Sequence, residues 1–215
     1  MPRRYTKKSE NITNDIRSID MKLQKMKKVR EGKYLKTYEL SYLNKAGKEK
    51  VYEIVSHADM DDPAQLGERV SGMSIAAHRG DRLLLLREYR MGVGRYVYNL
   101  CAGMVEEGES IEDAIRRELY EETGLSVKRI ERILPPAFAA VSITDIKNQI
   151  AFVEVEDDGD ITDEHTSANE EIRAGFYSPA EVKHLLETEE FTSRCQIVAY
   201  MFLSANRGVN GDGSF

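Results

Sequence analysis

Long apolar runs are missing from this 215-residue chain. The longest purely aliphatic stretch is Leu83–Leu86, far short of the roughly 20 apolar residues a membrane-spanning helix needs, so no membrane is expected as a partner. Cysteine is almost absent too. Cys101 and Cys195 can form at most one bridge, and no Cys/His spacing resembles a zinc site. Free thiols in a reducing, cytoplasmic setting are therefore expected. The opening Met1-Pro2-Arg3-Arg4-Tyr5-Thr6-Lys7-Lys8 is basic but continues into polar residues, unlike the apolar core of a secretory signal. An excess of positive charge is also lacking. With 31 Lys and Arg against 37 Asp and Glu, net charge is −6, which disfavours nucleic acid as a partner, since phosphates call for a basic surface. The four histidines, His57, His78, His165 and His184, are scattered and are expected to be structural or solvated.

What is present is unevenly arranged. Segment 1–30 is rich in Lys and Arg and is expected to be a basic leader, partly disordered or forming a short amphipathic helix around Ile16, Ile19, Met21, Leu23 and Met26. From Lys33 the apolar period shifts toward two on either side of Asn44-Lys45-Ala46-Gly47, which predicts an antiparallel β-hairpin subdomain over 31–66. The main domain is expected over 67–208, with 209–215 as a tail. Within it, Gly72–Ala77, Arg82–Tyr89 and Arg95–Leu100 read as strands, followed by further strands near 127–134, 149–155 and 171–177. Helices are expected near Ser178-Pro179 and over 190–206. The fold class is α+β, a mixed β-sheet sandwiched between helices.

The chemistry concentrates in Gly103 to Leu125. Ser110 stands where a helix N-cap belongs, Ile111, Ala114, Ile115 and Leu119 follow helical spacing, and Gly124 supplies the stop. On that helix Glu118, Glu121 and Glu122 share one face. Such a cluster repels itself unless a counter-charge is present, and hard divalent cations seek such oxygens and share them with phosphates. Arg117 adjoins the cluster and can orient a carboxylate through its planar fork.

Gly103, Glu109, Arg117, Glu118, Leu119, Glu121, Glu122, Gly124 and Leu125 resemble the Nudix box, G-x5-E-x7-R-E-U-x-E-E-x-G-U, at every position. Seven fixed identities at roughly 7% usage arise by chance at about 10⁻⁸ per starting point. The resemblance implies a Nudix fold and metal-dependent hydrolysis of a nucleoside diphosphate linked to another moiety. It implies Glu118 and Glu122 as ligands of Mg²⁺ or Mn²⁺, joined by the Ala102 carbonyl, and Glu121 as their catalytic support. Gly103, Glu109, Arg117 and Gly124 then hold the motif together.

Over about residues 33–205 the chain is similar to the ADP-ribose pyrophosphatase and nucleotide-sugar diphosphatase branch, whose substrates are the small molecules implied as partners. In Leu86-Arg87-Glu88-Tyr89-Arg90, Arg90 and then Arg87 match the arginine that contacts diphosphate there. The N-terminal hairpin of that branch often exchanges between subunits, so a homodimer is expected, with Tyr34, Tyr38, Tyr42 and Tyr52 supplying aromatic surface. Cys101 replaces the proline usual before the box. Ile146 stands where the branch has a glutamate serving as base or metal ligand. Asp145, an acid between Asp163 and Glu171, or Glu121 must then take that role. The alternative is a Nudix domain that binds or senses such a nucleotide with little or no turnover.

Overall fold

The computed structural model of the chain describes residues 21–162, 164 and 171–210. Most of the basic leader, the residues beyond 210, and the sequence candidates Asp163, His165 and Glu170 lie outside the described residues. The chain divides after Gln65 into two compact units.

The first unit is a three-stranded antiparallel sheet made of β1 (Lys22–Glu31), β2 (Lys36–Leu43) and β3 (Glu49–Ser56), with β2 in the middle. The hairpin expected about Gly47 is β2–β3. The preceding segment corrects the sequence reading, since residues 22–31 form a strand and not a leader or a helix. Lys- and Arg-rich segments tolerate a helix locally, but here the backbone pairs with the open edge of β2, from Lys22 opposite Leu43 to Glu31 opposite Lys36. Long-range pairing outweighs a propensity difference of tenths of a kcal/mol per residue. Tyr38 is also corrected: it is fully buried within this unit, where its hydroxyl accepts from the Met60 amide at 2.7 Å and donates to the Ala58 carbonyl at 3.0 Å.

The second unit contains β4 (Val70–Arg79), β5 (Arg82–Arg90), β6 (Arg95–Asn99), β7 (Cys101–Met104), α1 (Ile111–Thr123), β8 (Val127–Ile133), β9 (Ala137–Phe138), β10 (Lys147–Val155), β11 (Ile172–Tyr177), α2 (Pro179–Thr188) and α3 (Ser193–Asn210). Its eight strands form one mixed sheet, ordered β11-β5-β4-β10-β8 along the main path, with β4 and β10 parallel and the other pairs antiparallel. Strands β4 and β5 pair with each other only beside their connecting turn. Beyond it they diverge, and the gap is filled by β7 on β4 and β6 on β5. The segment Arg95–Met104 is thus wedged into the sheet just before α1.

Two cores follow from the side-chain alternation of β5. Leu84 and Leu86 pack with Ala114, Ile115 and Leu119 of α1. Leu83 and Leu85 pack with Val182 of α2 and Cys195, Val198 and Leu203 of α3. Each fully buried leucine contributes roughly 1.5–3 kcal/mol, so β5 helps to pin both helical layers to the sheet.

Helix α1 begins at Ser110, whose hydroxyl accepts from the Asp113 amide at 3.1 Å, and ends at Gly124, with φ of 72°. A Cβ on Gly124 would stand 2.3 Å from the Thr162 methyl, and the left-handed backbone alone costs a non-glycine residue about 1–2 kcal/mol. Gly124→Ala is therefore expected to destabilise the protein by roughly 1–3 kcal/mol in urea unfolding; an unchanged midpoint would contradict this account of the helix end.

Candidate active site

With its apolar stripe buried in the sheet, α1 turns Glu118, Glu121 and Glu122 toward and beside strand β7. The approach is close. A Cβ on Gly103 would fall 1.8 Å from the Glu118 carboxyl carbon, so only glycine leaves room for that side chain over the strand. Glu118 Oε1 accepts from the Met104 amide at 3.1 Å, and Glu122 Oε2 accepts from the Ala102 amide at 3.1 Å. The two carboxylates, one helical turn apart, thus grip alternate amides of one strand. The strand's other faces are committed to β4, where Ala102 lies opposite Ser74.

Arg117 holds this seam together. Its Nε and Nη2 form a bidentate pair with Glu109 at 2.8 and 2.9 Å, Nη1 reaches Glu118 at 2.9 Å and Glu121 at 3.2 Å, and Nη2 donates to the Met104 carbonyl at 3.0 Å. One planar fork ties the loop after β7, the helix and the strand. Arg117, together with the Glu106 amide, holds the Glu109 carboxyl down to about 2.

Deeper in the seam compensation is incomplete. Burial pushes Glu118 up despite Arg117 beside it. Glu122 is pushed up to about 8, first by burial and then by the charges of Glu118 and Glu88, against the Cys101 and Ala102 hydrogen bonds. Cys101 is fully buried and its thiol is raised well above the ordinary value by burial, with Glu122 adding to the shift. That is the environment of a packing thiol, not of a nucleophile.

Glu88 is a member of this set that sequence reasoning missed. It is 6% exposed, its Oε1 accepts from Asn99 Nδ2 at 2.6 Å, and Asn99 Oδ1 accepts from the Thr192 hydroxyl at 2.7 Å. The signal was the period of two: 84, 86 and 88 share one face of β5, and the first two are buried against α1.

The two candidate arginines part company by the same rule. Arg90 follows Glu88 on that face, 3.5 Å from its Oε1, and is mostly exposed. Arg87 lies on the opposite face, its guanidinium 4.4 Å from the Tyr96 ring centre. Beside Arg90 opens a cleft of about 270 Å³ lined by Glu88, Tyr89, Arg90, Met91, Gly92, Glu171 and Ile172. Glu171 accepts a short hydrogen bond from the Tyr96 hydroxyl.

Asp145 is engaged elsewhere. Its Oδ2 accepts from the Gly67 amide at 3.2 Å, and its buried Oδ1 has no hydrogen-bond partner among the described residues. Ile146 closes the base of the β9–β10 loop through its carbonyl, which accepts from the Ala139 amide at 2.8 Å. Among the described residues no three His, Cys, Asp or Glu side chains gather closely enough to hold a metal by themselves. The oxygen donors present are the desolvated carboxylates of Glu118 and Glu122, with the β7 backbone between them.

The Arg117–Glu109 pair sets a pH signature. A carboxyl whose pKa is depressed on folding stabilises the folded state above its usual value of 4.5, and loses that contribution as pH falls toward about 2. The stability gap between wild type and Glu109→Gln should therefore be full above pH 4.5 and close as pH drops toward 2, in urea titrations at several pH values. A gap independent of pH over that range would exclude the linkage.

Comparison with known proteins agrees with this geometry. The NUDIX domain model matches residues 68–197, which include the whole of β4–β7 and α1. The chain is 30% identical over 96 residues to an ADP-sugar pyrophosphatase of Mus musculus, covering 45% of this chain and 44% of that protein. It is 31% identical over 130 residues to an ADP-ribose pyrophosphatase of Escherichia coli (strain K12), covering 57% and 61%. A shorter match, 42% identical over 59 residues, is to an NAD-capped RNA hydrolase of Haemophilus influenzae, covering 26% and 22%. The chain thus spans less than two thirds of the length of these relatives. A crystal structure described as an ADP compounds hydrolase shares the fold, with a TM-score of 0.66 and 21% identity over 89% of this chain and 96% of that one. On the match of its larger unit, the chain belongs to the NUDIX domain family.

Proposed function

We propose that the protein hydrolyses a nucleoside diphosphate linked to a second moiety, ADP-ribose (to AMP and ribose 5-phosphate) or a nucleotide sugar, with the help of Mg²⁺ or Mn²⁺. One observation carries this reading. Glu118 and Glu122 are held side by side over Ala102–Met104, both pushed up by burial, and of the two it is Glu118 that Arg117 reaches. Carboxylates so placed cost stability unless a cation joins them, and hard oxygens in this number suit a divalent ion that completes its shell from substrate phosphate and water. Glu118, Glu122 and the Ala102 carbonyl would hold it. When bound, such an ion screens diphosphate charge and activates water.

The remaining roles belong to the chain's own side chains. Arg117, tied to Glu109, positions Glu118, and Gly103 and Gly124 let helix and strand approach. Arg90, at the mouth of the cleft, offers its fork to the diphosphate. For the proton acceptor, the acids on the cleft wall are Glu88 and Glu171; Glu88 is buried against Asn99 and Arg90 and Glu171 is held by the neutral Tyr96 hydroxyl, whereas Asp145 serves Gly67 and Glu121 serves Arg117. We therefore place the base at Glu171. The second reading, a nucleotide-sensing domain with little turnover, is favoured by Ile146 at the position of the usual glutamate. The buried free thiols support a reducing, cytoplasmic setting, and no described helix is long and apolar enough to cross a membrane.

Glu122→Gln should lower kcat by at least about a hundredfold with the fold retained, and EDTA should abolish phosphate release from ADP-ribose. Near-full activity in EDTA would sink the metal-dependent reading. In the same assay Glu171→Gln should cost about 10² to 10⁴ in kcat, and Asp145→Asn should cost far less. Wild-type rates for Glu171→Gln would return the role to Glu121 or to an acid of 163–170, and a wild-type protein inert toward every nucleotide diphosphate would favour the sensor.

The exposed apolar side chains of the first unit, Val29, Tyr34, Leu35, Leu43 and Val51, exceed what a solvated three-stranded sheet requires. We propose a homodimer that covers them. Light scattering at micromolar concentration should give twice the chain mass of 24.5 kDa; a monomer would refute it.

A further inference from the structure

Glu88 stands on the wall of the cleft, yet it is only 6% exposed. A carboxylate so enclosed needs hydrogen bonds, and its close partner is neutral: Asn99 Nδ2 donates to Oε1 at 2.6 Å. Because a carboxylate accepts, Asn99 must turn its amide nitrogen to Glu88 and its oxygen away. That oxygen accepts from the Thr192 hydroxyl at 2.7 Å. Strand alternation puts the next side chain of the same face, Arg90, at the other end of this chain of contacts. Its Nη1 lies 3.5 Å from the same Glu88 Oε1, and both residues line the cleft.

Thr192 is an unusual anchor for such a chain. It precedes α3 and gives its carbonyl to the Gln196 amide at 2.9 Å, as an N-cap residue does. An N-cap hydroxyl ordinarily accepts from an amide of the first turn, but among the described residues no amide donates to this one, and it serves Asn99 instead. The backbone fixes its place. The Thr192 amide donates to the Tyr98 carbonyl at 2.9 Å, the Tyr98 amide donates to the Glu190 carbonyl at 2.7 Å, and Phe191 stacks on the Tyr98 ring with centres 5.3 Å apart. The approach to α3 is thus stitched to β6, and its hydroxyl is held where Asn99 needs it.

At the cleft end, Arg90 combines a fixed backbone with a side chain 57% exposed. Its carbonyl accepts from the Val93 and Gly94 amides at 3.0 and 2.9 Å, closing the β5–β6 turn. Arg95, paired with Arg90 across that turn, is taken by Glu190 at 2.9 Å, which leaves Glu88 to Arg90. An exposed arginine side chain loses rotamer freedom when a ligand immobilises it, and a rigidly held carboxylate beside it removes part of that loss in advance. We infer that Thr192 and Asn99 are positioning residues for the cleft: they hold Glu88, and Glu88 holds the Arg90 fork where an anionic ligand meets it. The inference rests on the proposed role of Arg90 toward a diphosphate.

The test is a double-mutant cycle on the full chain, read by calorimetric titration with ADP-ribose in EDTA, so that no turnover is needed. Thr192→Val removes the hydroxyl with little change of shape and should weaken binding about three- to tenfold, the range for one hydrogen bond. Thr192→Ser keeps the hydroxyl and should bind within about twofold of wild type. In the Arg90→Ala background, Thr192→Val should change binding by less than about twofold, because the side chain it positions is gone. With Mg²⁺ present, Thr192→Val should raise KM while kcat stays within about threefold. Matched melting temperatures check the fold, and Asn99→Ala, which removes the next link, carries the same cycle if Thr192→Val unfolds. Equal losses in the wild-type and Arg90→Ala backgrounds overturn the inference, as does wild-type affinity in both Thr192→Val and Asn99→Ala. In either case a loss in Arg90→Ala alone leaves the Arg90 reading standing. Wild-type affinity in Arg90→Ala, or a wild type that binds no ADP-ribose, overturns both. Coupled losses of binding without any turnover keep the positioning role and remove the hydrolase reading.

Discussion

A single guanidinium holds the box helix to the sheet against the repulsion of its own carboxylates. Arg117 satisfies Glu109, Glu118 and Glu121 and a strand carbonyl at once, so the loop after β7 cannot drift from the helix without breaking charge-assisted bonds. Such bonds contribute about 1.5–3 kcal/mol each where they are shielded from water. Glu122, one turn further on, lies beyond that fork and leans instead on a strand amide and a thiol. The acidic seam is therefore graded, neutralised at its outer end and left wanting at its inner end.

The divergence of β4 and β5 makes that grading useful. Because the two strands pair only at their turn, β6 and β7 enter the gap and carry Cys101–Met104 beneath α1 while presenting Asn99 toward Glu88. The same stretch of chain underlies the carboxylates on one side and anchors the start of α3 on the other. The acidic seam and the Asn99–Thr192 link to α3 thus depend on one structural device.

Asp145 illustrates how one tertiary contact changes the reading of a residue. Sequence proximity to Ile146 suggested it as a substitute base, yet its carboxylate receives the amide of Gly67, 78 positions away. Glu171 gains weight for the converse reason, standing on the cleft wall with Glu88 and Arg90 although it is far from the box in sequence. The Cys101 that replaces a proline is accommodated as a buried donor to Glu122.

The box helix, its Ser110 cap, its Gly124 stop and the shared face of Glu118, Glu121 and Glu122 were legible from sequence, because all depend on interactions within about four residues and on a fixed helical period. Strands β4, β5, β6, β8, β10 and β11 and the mixed sheet between helices were legible through runs of one period bounded by turn residues, whereas the short β7 and β9 were not, since two to four residues carry no period. Only the tertiary structure decided that residues 22–31 are a strand, since the open edge of β2 supplies hydrogen bonds that no local pattern announces. It alone decided that Tyr38 is core and that Glu88 joins the acidic seam. It alone joined Glu88 through Asn99 to Thr192 at the approach of α3: that link requires the β6–α3 stitching, and contacts between distant segments follow from packing as a whole and not from the spacing of residues along the chain.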